Sequence, residues 1–158
     1  MWSASVAAVV VAGGVGALVG ETCMTHKRVM TQLAEGMGQA SLRLQAGCDS
    51  LVTAFDEMPF PFFRILCEGL KEGLTVQEAW RKGRKSFGGL PKEFLAVFDP
   101  MAELLANAQG MAFFARFQSA TQAIKEQADI SCKKCGDRAK LAIKVGLLGG
   151  VLVAALVW

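Results

Sequence analysis

The sequence predicts an all-α protein: an antiparallel helical bundle carried on N- and C-terminal transmembrane helices. Three observations carry that expectation. Every charged residue lies between Glu21 and Lys144, so two apolar ends bracket a polar middle. Nothing in the middle alternates at a period of two, whereas apolar spacings of three and four recur along it. The one valine-rich run, which would otherwise hint at a strand, sits inside the N-terminal apolar end. The division that follows is a transmembrane helix over 1–20, a cytoplasmic helical domain over 21–144 and a transmembrane helix over 145–158.

The ends come first. Trp2–Gly20 reaches about 28 Å as a helix, close to the roughly 30 Å hydrocarbon core. Val145–Trp158 reaches only about 21 Å. Leu141, Ala142 and Ile143 lengthen it if Lys144 snorkels its ammonium to the headgroups. Trp2 and Trp158 stand at the extremities, where an amphipathic indole favours the interface. Gly16 with Gly20, and Gly146 with Gly150, have the spacing that lets helix backbones approach closely. The legs then pack on each other or on partner helices. Lys27 and Arg28 follow the first span, Lys133, Lys134, Arg138, Lys140 and Lys144 precede the second, and neither outer flank carries Lys or Arg. The positive-inside rule therefore puts the middle domain in the cytoplasm. A cleaved signal peptide is disfavoured, because the basic n-region and a clean A-x-A-like site are missing.

The middle reads as helices throughout. From Thr25 to about Ala46, Val29, Leu33, Met37 and Leu44 make a loose apolar stripe, which Gly36 and Gly38 are expected to loosen. A short helix spans Asp49 to Glu57 and is ended by Pro59 and Pro61. Phe60–Glu72 follows, with Phe62 or Phe63, Leu66 and Leu70 at helical spacing. Thr75-Val-Gln-Glu78 is a capping box, and behind it Val76, Trp80, Gly83 and Phe87 share a face that makes Trp80 a core anchor. Arg81, Lys82, Arg84 and Lys85 lie mainly off that face. Gly88-Gly-Leu-Pro91 is a break, with Pro91 suited to a first helical position. Phe94, Val97, Phe98, Met101, Leu104, Leu105 and Ala108 form the next apolar face. Asp99-Pro100 within it either kinks one helix or starts a second, with Asp99 as its cap. After a turn over 107–110, Phe113, Phe117, Ala120, Ile124 and Ala128 mark the last helix.

Composition excludes several classes. A net charge of +3, concentrated beside the spans, suits an anionic membrane surface and makes no case for a nucleic-acid partner. Five cysteines, at 23, 48, 67, 132 and 135, are an odd number, and a cytoplasmic domain keeps them reduced. Cys132-Lys-Lys-Cys135 is the one tempting pair, since neighbouring lysines lower a thiol pKa. No second pair completes a zinc site, and the sole histidine, His26, is remote in sequence. There is no phosphate-binding Gly-x-x-x-x-Gly-Lys loop, no G-x-S-x-G and no H-E-x-x-H. The expectation is no enzyme, no cofactor and no metal.

From Arg28 to Trp158 the chain resembles the stage III sporulation protein AB family of endospore-forming bacteria. The resemblance rests on Pro59-Phe-Pro61, the Phe-rich helix, and Leu70-Lys-Glu-Gly73-Leu-Thr-Val-Gln-Glu78-Ala79-Trp80. The closing Val145-Gly-Leu-Leu-Gly-Gly-Val-Leu-Val and the order of parts add to it. Departures fall at Ser41–Asp49, where the family has a Glu-Ile-x-Tyr-x-x-Thr-Pro-Leu stretch. They fall also at 106–109, where its Leu-Gly-x-x-Asp loses the glycine and the acid. The resemblance implies a platform subunit of a secretion-like complex between mother cell and forespore, in the mother-cell membrane. It is similar to the inner-membrane platform protein of type II secretion and type IV pilus machines. The implied partners are a secretion-type ATPase (stage III sporulation protein AA), other membrane subunits of the same complex and the bilayer, with a homo-oligomer as a further option.

The expected contact surface is Glu68, Lys71, Glu72, Arg81, Lys82, Arg84 and Lys85. Pro59, Pro61, Gly73, Glu78, Ala79 and Trp80 are motif and core positions, and Gly16, Gly20, Gly146 and Gly150 pack membrane helices. Two rivals stand beside this reading. One is a self-oligomerising holin-like or pore-forming protein, weakened by the lack of polar residues inside the spans. The other is a membrane-tethered thiol protein using Cys132 and Cys135.

Overall fold

The computed structural model describes residues 2–47, 50–108 and 111–156; for 2–21, 111, 146–147 and 149–156 it describes the backbone alone. The described residues form α1 (Trp2–Gln45), α2 (Leu51–Phe55), α3 (Pro61–Lys71), α4 (Val76–Arg84), α5 (Lys92–Phe98), α6 (Met101–Ala106) and α7 (Met111–Leu156). No strand occurs among them, as the missing period-two pattern predicts. The chain divides into two compact units, residues 28–131 and residues 1–27 with 132–158. The side chains of the expected first span, and those of much of the second including Trp158, lie outside the described residues. Among the described residues no helix is long and apolar enough to cross a membrane.

The unit over 28–131 is built on an aromatic core. Phe55, Phe62, Phe63, Phe94, Phe98 and Phe117 are all fully buried, and Trp80 is 2% exposed. Trp80 meets Phe62 edge-on at 4.8 Å and lies over Phe98 at 4.7 Å, while Phe63 stacks on Phe55 at 5.4 Å. Such offset and edge-on pairs add about 0.5–1.5 kcal/mol each beyond area burial. The helical stripes read from the sequence close this core: Leu33, Met37 and Leu44 from α1, Phe113, Phe117, Ile124 and Ala128 from α7.

Two glycines in α1 behave differently from expectation. Gly36 and Gly38 do not break the helix, which runs through both. Gly36 is where the Phe63 ring lies against the α1 backbone, and a Cβ there would fall within that ring. Gly38 faces the end of the Lys125 side chain from α7, about 3.0 Å from where its Cβ would stand. The glycines admit neighbours; they do not loosen the helix.

Helix boundaries also sharpen. Ser50 caps α2, its hydroxyl accepting from the Thr53 amide, so the helix starts at Leu51 and Asp49 lies outside the described residues. Pro91 stands just before α5 with ψ 137, its carbonyl accepting from the amides of Phe94 and Leu95; it is the residue before the first turn, not its first position. At Asp99-Pro100 the chain starts a new helix. Its first turn is held by the carbonyls of Asp99 and Pro100, because the Asp99 carboxylate is drawn to Arg84 instead of capping.

Candidate functional site

The α3–α4 corner carries both the motif and the expected contact residues. α3 ends in a Schellman arrangement: the Leu74 amide donates to the Gly69 carbonyl and the Gly73 amide to that of Leu70. Gly73 takes φ +87, a left-handed conformation that costs a residue with a Cβ about 1–2 kcal/mol. Two residues on, the Thr75 hydroxyl accepts from the Glu78 amide while the Glu78 carboxylate accepts from the Thr75 amide and hydroxyl. Those bonds hold the Glu78 carboxyl below the usual carboxylate range. Ala79 is fully buried against Gly69, and Gly83 is where Phe62 reaches the α4 backbone. Pro61 opens α3 and Pro59 is exposed ahead of it. The string from Leu70 to Trp80 is thus one turn between two helices, and each distinctive residue in it has a structural task.

The charged residues divide. Glu72 and Lys82 tie the two helices together at 2.9 Å, Lys71 reaches Asp56 at 2.6 Å, and Glu68 faces Arg64 at 3.9 Å. Arg84 pairs with Asp99 at 3.1 Å and lies 5.3 Å over the Phe87 ring. Hydrogen bonding to Asp56 raises the Lys71 pKa. Such exposed pairs contribute about 0–1 kcal/mol each, so they orient side chains more than they stabilise. Arg81 and Lys85 are exposed, one turn apart, and make no ion pair among the described residues. Of the seven expected contact residues, these two are the ones whose charge is not engaged in an ion pair among the described residues. A shallow depression of about 490 Å³ over α5 and α6, lined by Lys92, Leu95, Ala96, Asp99, Pro100 and Glu103, is open to solvent.

The cysteines correct the sequence reading. Cys23 and Cys135, 112 residues apart, form a disulfide, so they are not the reduced thiols expected, and Cys135 is not partnered with Cys132. Two residues a turn apart on one helix both project from its flank. A residue on the neighbouring helix can face one of them directly, and sequence spacing does not show that. Cys67 is buried, and burial, reinforced by Asp56, pushes its thiol pKa up. Cys48 lies outside the described residues.

Within the unit formed by 1–27 and 132–158, α7 has two contrasting faces. Cys135, Ala139 and Ala142 are half-buried, whereas Leu141, Ile143, Val145 and Leu148 are 51–65% exposed. Gly146 continues the small-residue spacing, but the surroundings of Gly16, Gly20, Gly146 and Gly150 lie outside the described residues. Ile130, earlier on the same helix, is also exposed. Toward its apolar end the arrangement inverts that of a water-soluble helix: Ala139 and Ala142 inward, large aliphatic residues outward, with Lys140 and Lys144 exposed among them. No known protein family, curated protein or solved structure matches the chain.

Proposed function

We propose that the chain is a non-enzymatic, membrane-anchored scaffold, a platform subunit of a sporulation-associated, secretion-like complex. Its helical domain couples a cytoplasmic ATPase to membrane assembly. The observation that carries the anchoring is the inverted face of α7. Full burial of a Leu, Ile or Val side chain is worth about 1.5–3 kcal/mol, so four of them left in water forgo several kcal/mol. Acyl chains supply that burial without a protein partner, and small residues are what a lipid-embedded helix turns toward its neighbour. The family resemblance supports the platform role, and Arg81 with Lys85 is the surface offered to the ATPase.

Reversing both charges, Arg81→Glu with Lys85→Glu, is expected to abolish co-purification of the secretion-type ATPase while the far-ultraviolet helical signal is unchanged. Undiminished capture removes this surface from the proposal. A second reading is favoured by one observation, the Cys23–Cys135 disulfide. Stable disulfides belong to oxidising compartments, and on that ground the domain faces outward and its partner is not a cytoplasmic ATPase. Under the first reading the bridge is a redox-controlled clasp, the kind of disulfide that reducing compartments keep.

A further inference from the structure

Charge is segregated between the two units. Residues 28–131 hold eleven basic and twelve acidic residues, net −1; residues 1–27 with 132–158 hold six basic and two acidic, net +4. The ion pairs of the described residues all lie within 28–131. Lys27, Lys133, Lys134, Arg138, Lys140 and Lys144 are exposed and make none among the described residues. In the domain five basic side chains (Arg43, Arg64, Lys71, Lys82 and Arg84) are ion-paired and acidic residues outnumber basic ones; beside the disulfide neither holds among the described residues.

Helix geometry orders these residues further. At about 100° per residue, Lys133, Lys140 and Lys144 share one face of α7, opposite the face of Cys135, Ala139 and Ala142. Between Lys133 and Lys144, Asp137 is the one carboxylate on that face, and Glu126 and Asp129 lie on it earlier in the helix. The three lysines rise over about 16 Å, more than the roughly 5–8 Å that headgroups occupy on each side of a bilayer. Lys140 and Lys144 stand among the exposed Leu141, Ile143, Val145 and Leu148. A helical Cα–Cβ bond tilts toward the N-terminus, which in α7 is the direction away from the apolar end. Lys140 and Lys144 are therefore built to snorkel back toward the level of Lys133.

We propose that this lysine face is a binding surface for the phosphate headgroups of anionic lipids, the ammonium groups converging on one phosphate layer while the neighbouring aliphatic side chains lie among acyl chains. The proposal rests on the membrane-anchored reading and adds the lipid class that the anchor selects. A juxtamembrane lysine near an anionic surface contributes about fivefold in binding.

The test uses the full chain reconstituted in phosphatidylcholine vesicles containing one quarter phosphatidylglycerol. Electron paramagnetic resonance measures the lipid immobilised at the protein, with spin-labelled phosphatidylglycerol or spin-labelled phosphatidylcholine. The wild-type chain is expected to prefer the anionic label, and Lys140→Gln with Lys144→Gln to lower that preference by up to about fivefold per lysine. Arg116→Gln, exposed on the domain, is expected to leave it unchanged. Equal preference in wild type and the double variant overturns the proposal, as does loss of the preference on adding inorganic phosphate alone, which would mark a small-anion site. No immobilised component with either label refutes the anchored reading itself, a result distinct from immobilisation without selectivity.

Discussion

Gly36 and Gly38 lie two residues apart in one helix, and replacing each by alanine should move stability in opposite directions. Alanine in a helix interior is favoured over glycine by about 1 kcal/mol. At Gly38 the new methyl meets only the flexible end of Lys125, at about 3.0 Å, and that side chain can swing aside. Gly38→Ala should therefore be neutral to about 1 kcal/mol more stable. At Gly36 the methyl falls within the Phe63 ring. Phe63 is fully buried, stacked on Phe55 and edge-on to Phe60 and Phe62, so it has nowhere to go. Overpacking of this kind costs about 1–3 kcal/mol, and a ring held on three sides belongs at the upper end. After the propensity gain, Gly36→Ala should be about 2 kcal/mol less stable than wild type. Urea unfolding of the full chain in detergent, followed by far-ultraviolet circular dichroism, reads both changes as shifts in midpoint. Phe63→Leu in the Gly36→Ala background should recover part of the loss, although it destabilises wild type. Equal midpoints for the two alanine variants, or no recovery, would refute the assignment of Gly36 as the seat of Phe63.

Four further outcomes follow from the same geometry. Thr75→Ala removes one half of the capping box and should cost about 1 kcal/mol, read in the same urea experiment. The Glu78 carboxyl is held below its ordinary range, so its contribution is fully present above the ordinary carboxylate pKa and is lost as pH falls through the lowered value. Wild type should therefore lose more stability than Glu78→Gln between neutral and acid pH. Cys67, buried with a raised pKa, should resist maleimide in the folded chain and react on unfolding, as mass spectrometry with and without denaturant would report. Cutting the Cys23–Cys135 bridge with Cys23→Ser releases a loop of about 112 residues. In the chain-entropy view that costs about 4–5 kcal/mol, seen as a lower urea midpoint that a thiol reductant reproduces in wild type.

The helices were legible where local chemistry decides them. Thr75 and Glu78 announce their capping box at fixed spacing, and the stripes of α1 and α7 fall on the predicted residues because apolar side chains three and four apart must share a face. What could not be read depends on neighbours distant in sequence. Gly36 looks like a weak point in a helix until Phe63 is placed against it. Asp99 looks like a cap until Arg84, fifteen residues earlier, takes its carboxylate. The same limit explains the cysteines, where the conspicuous Cys132-Lys-Lys-Cys135 spacing concealed the cross-helix partner Cys23. In the candidate surface, sequence placed seven charged residues on one corner. Arg64 stands four residues before Glu68 on the same helix, but only the paths of the helices show that Asp56 at the end of α2 engages Lys71, that Asp99 at the end of α5 engages Arg84, and that Glu72 and Lys82 engage each other. Arg81 and Lys85 are left, and nothing local distinguishes them from Lys82 and Arg84 beside them.

Anchoring through the inverted helix face is the premise of both the scaffold role and the lipid surface, and alkaline carbonate extraction tests it most directly. Full-length chain made in bacterial cells is washed at high pH and floated through a density gradient. The account predicts that it rises with the membranes. Recovery of the wild-type chain in the soluble fraction would contradict it.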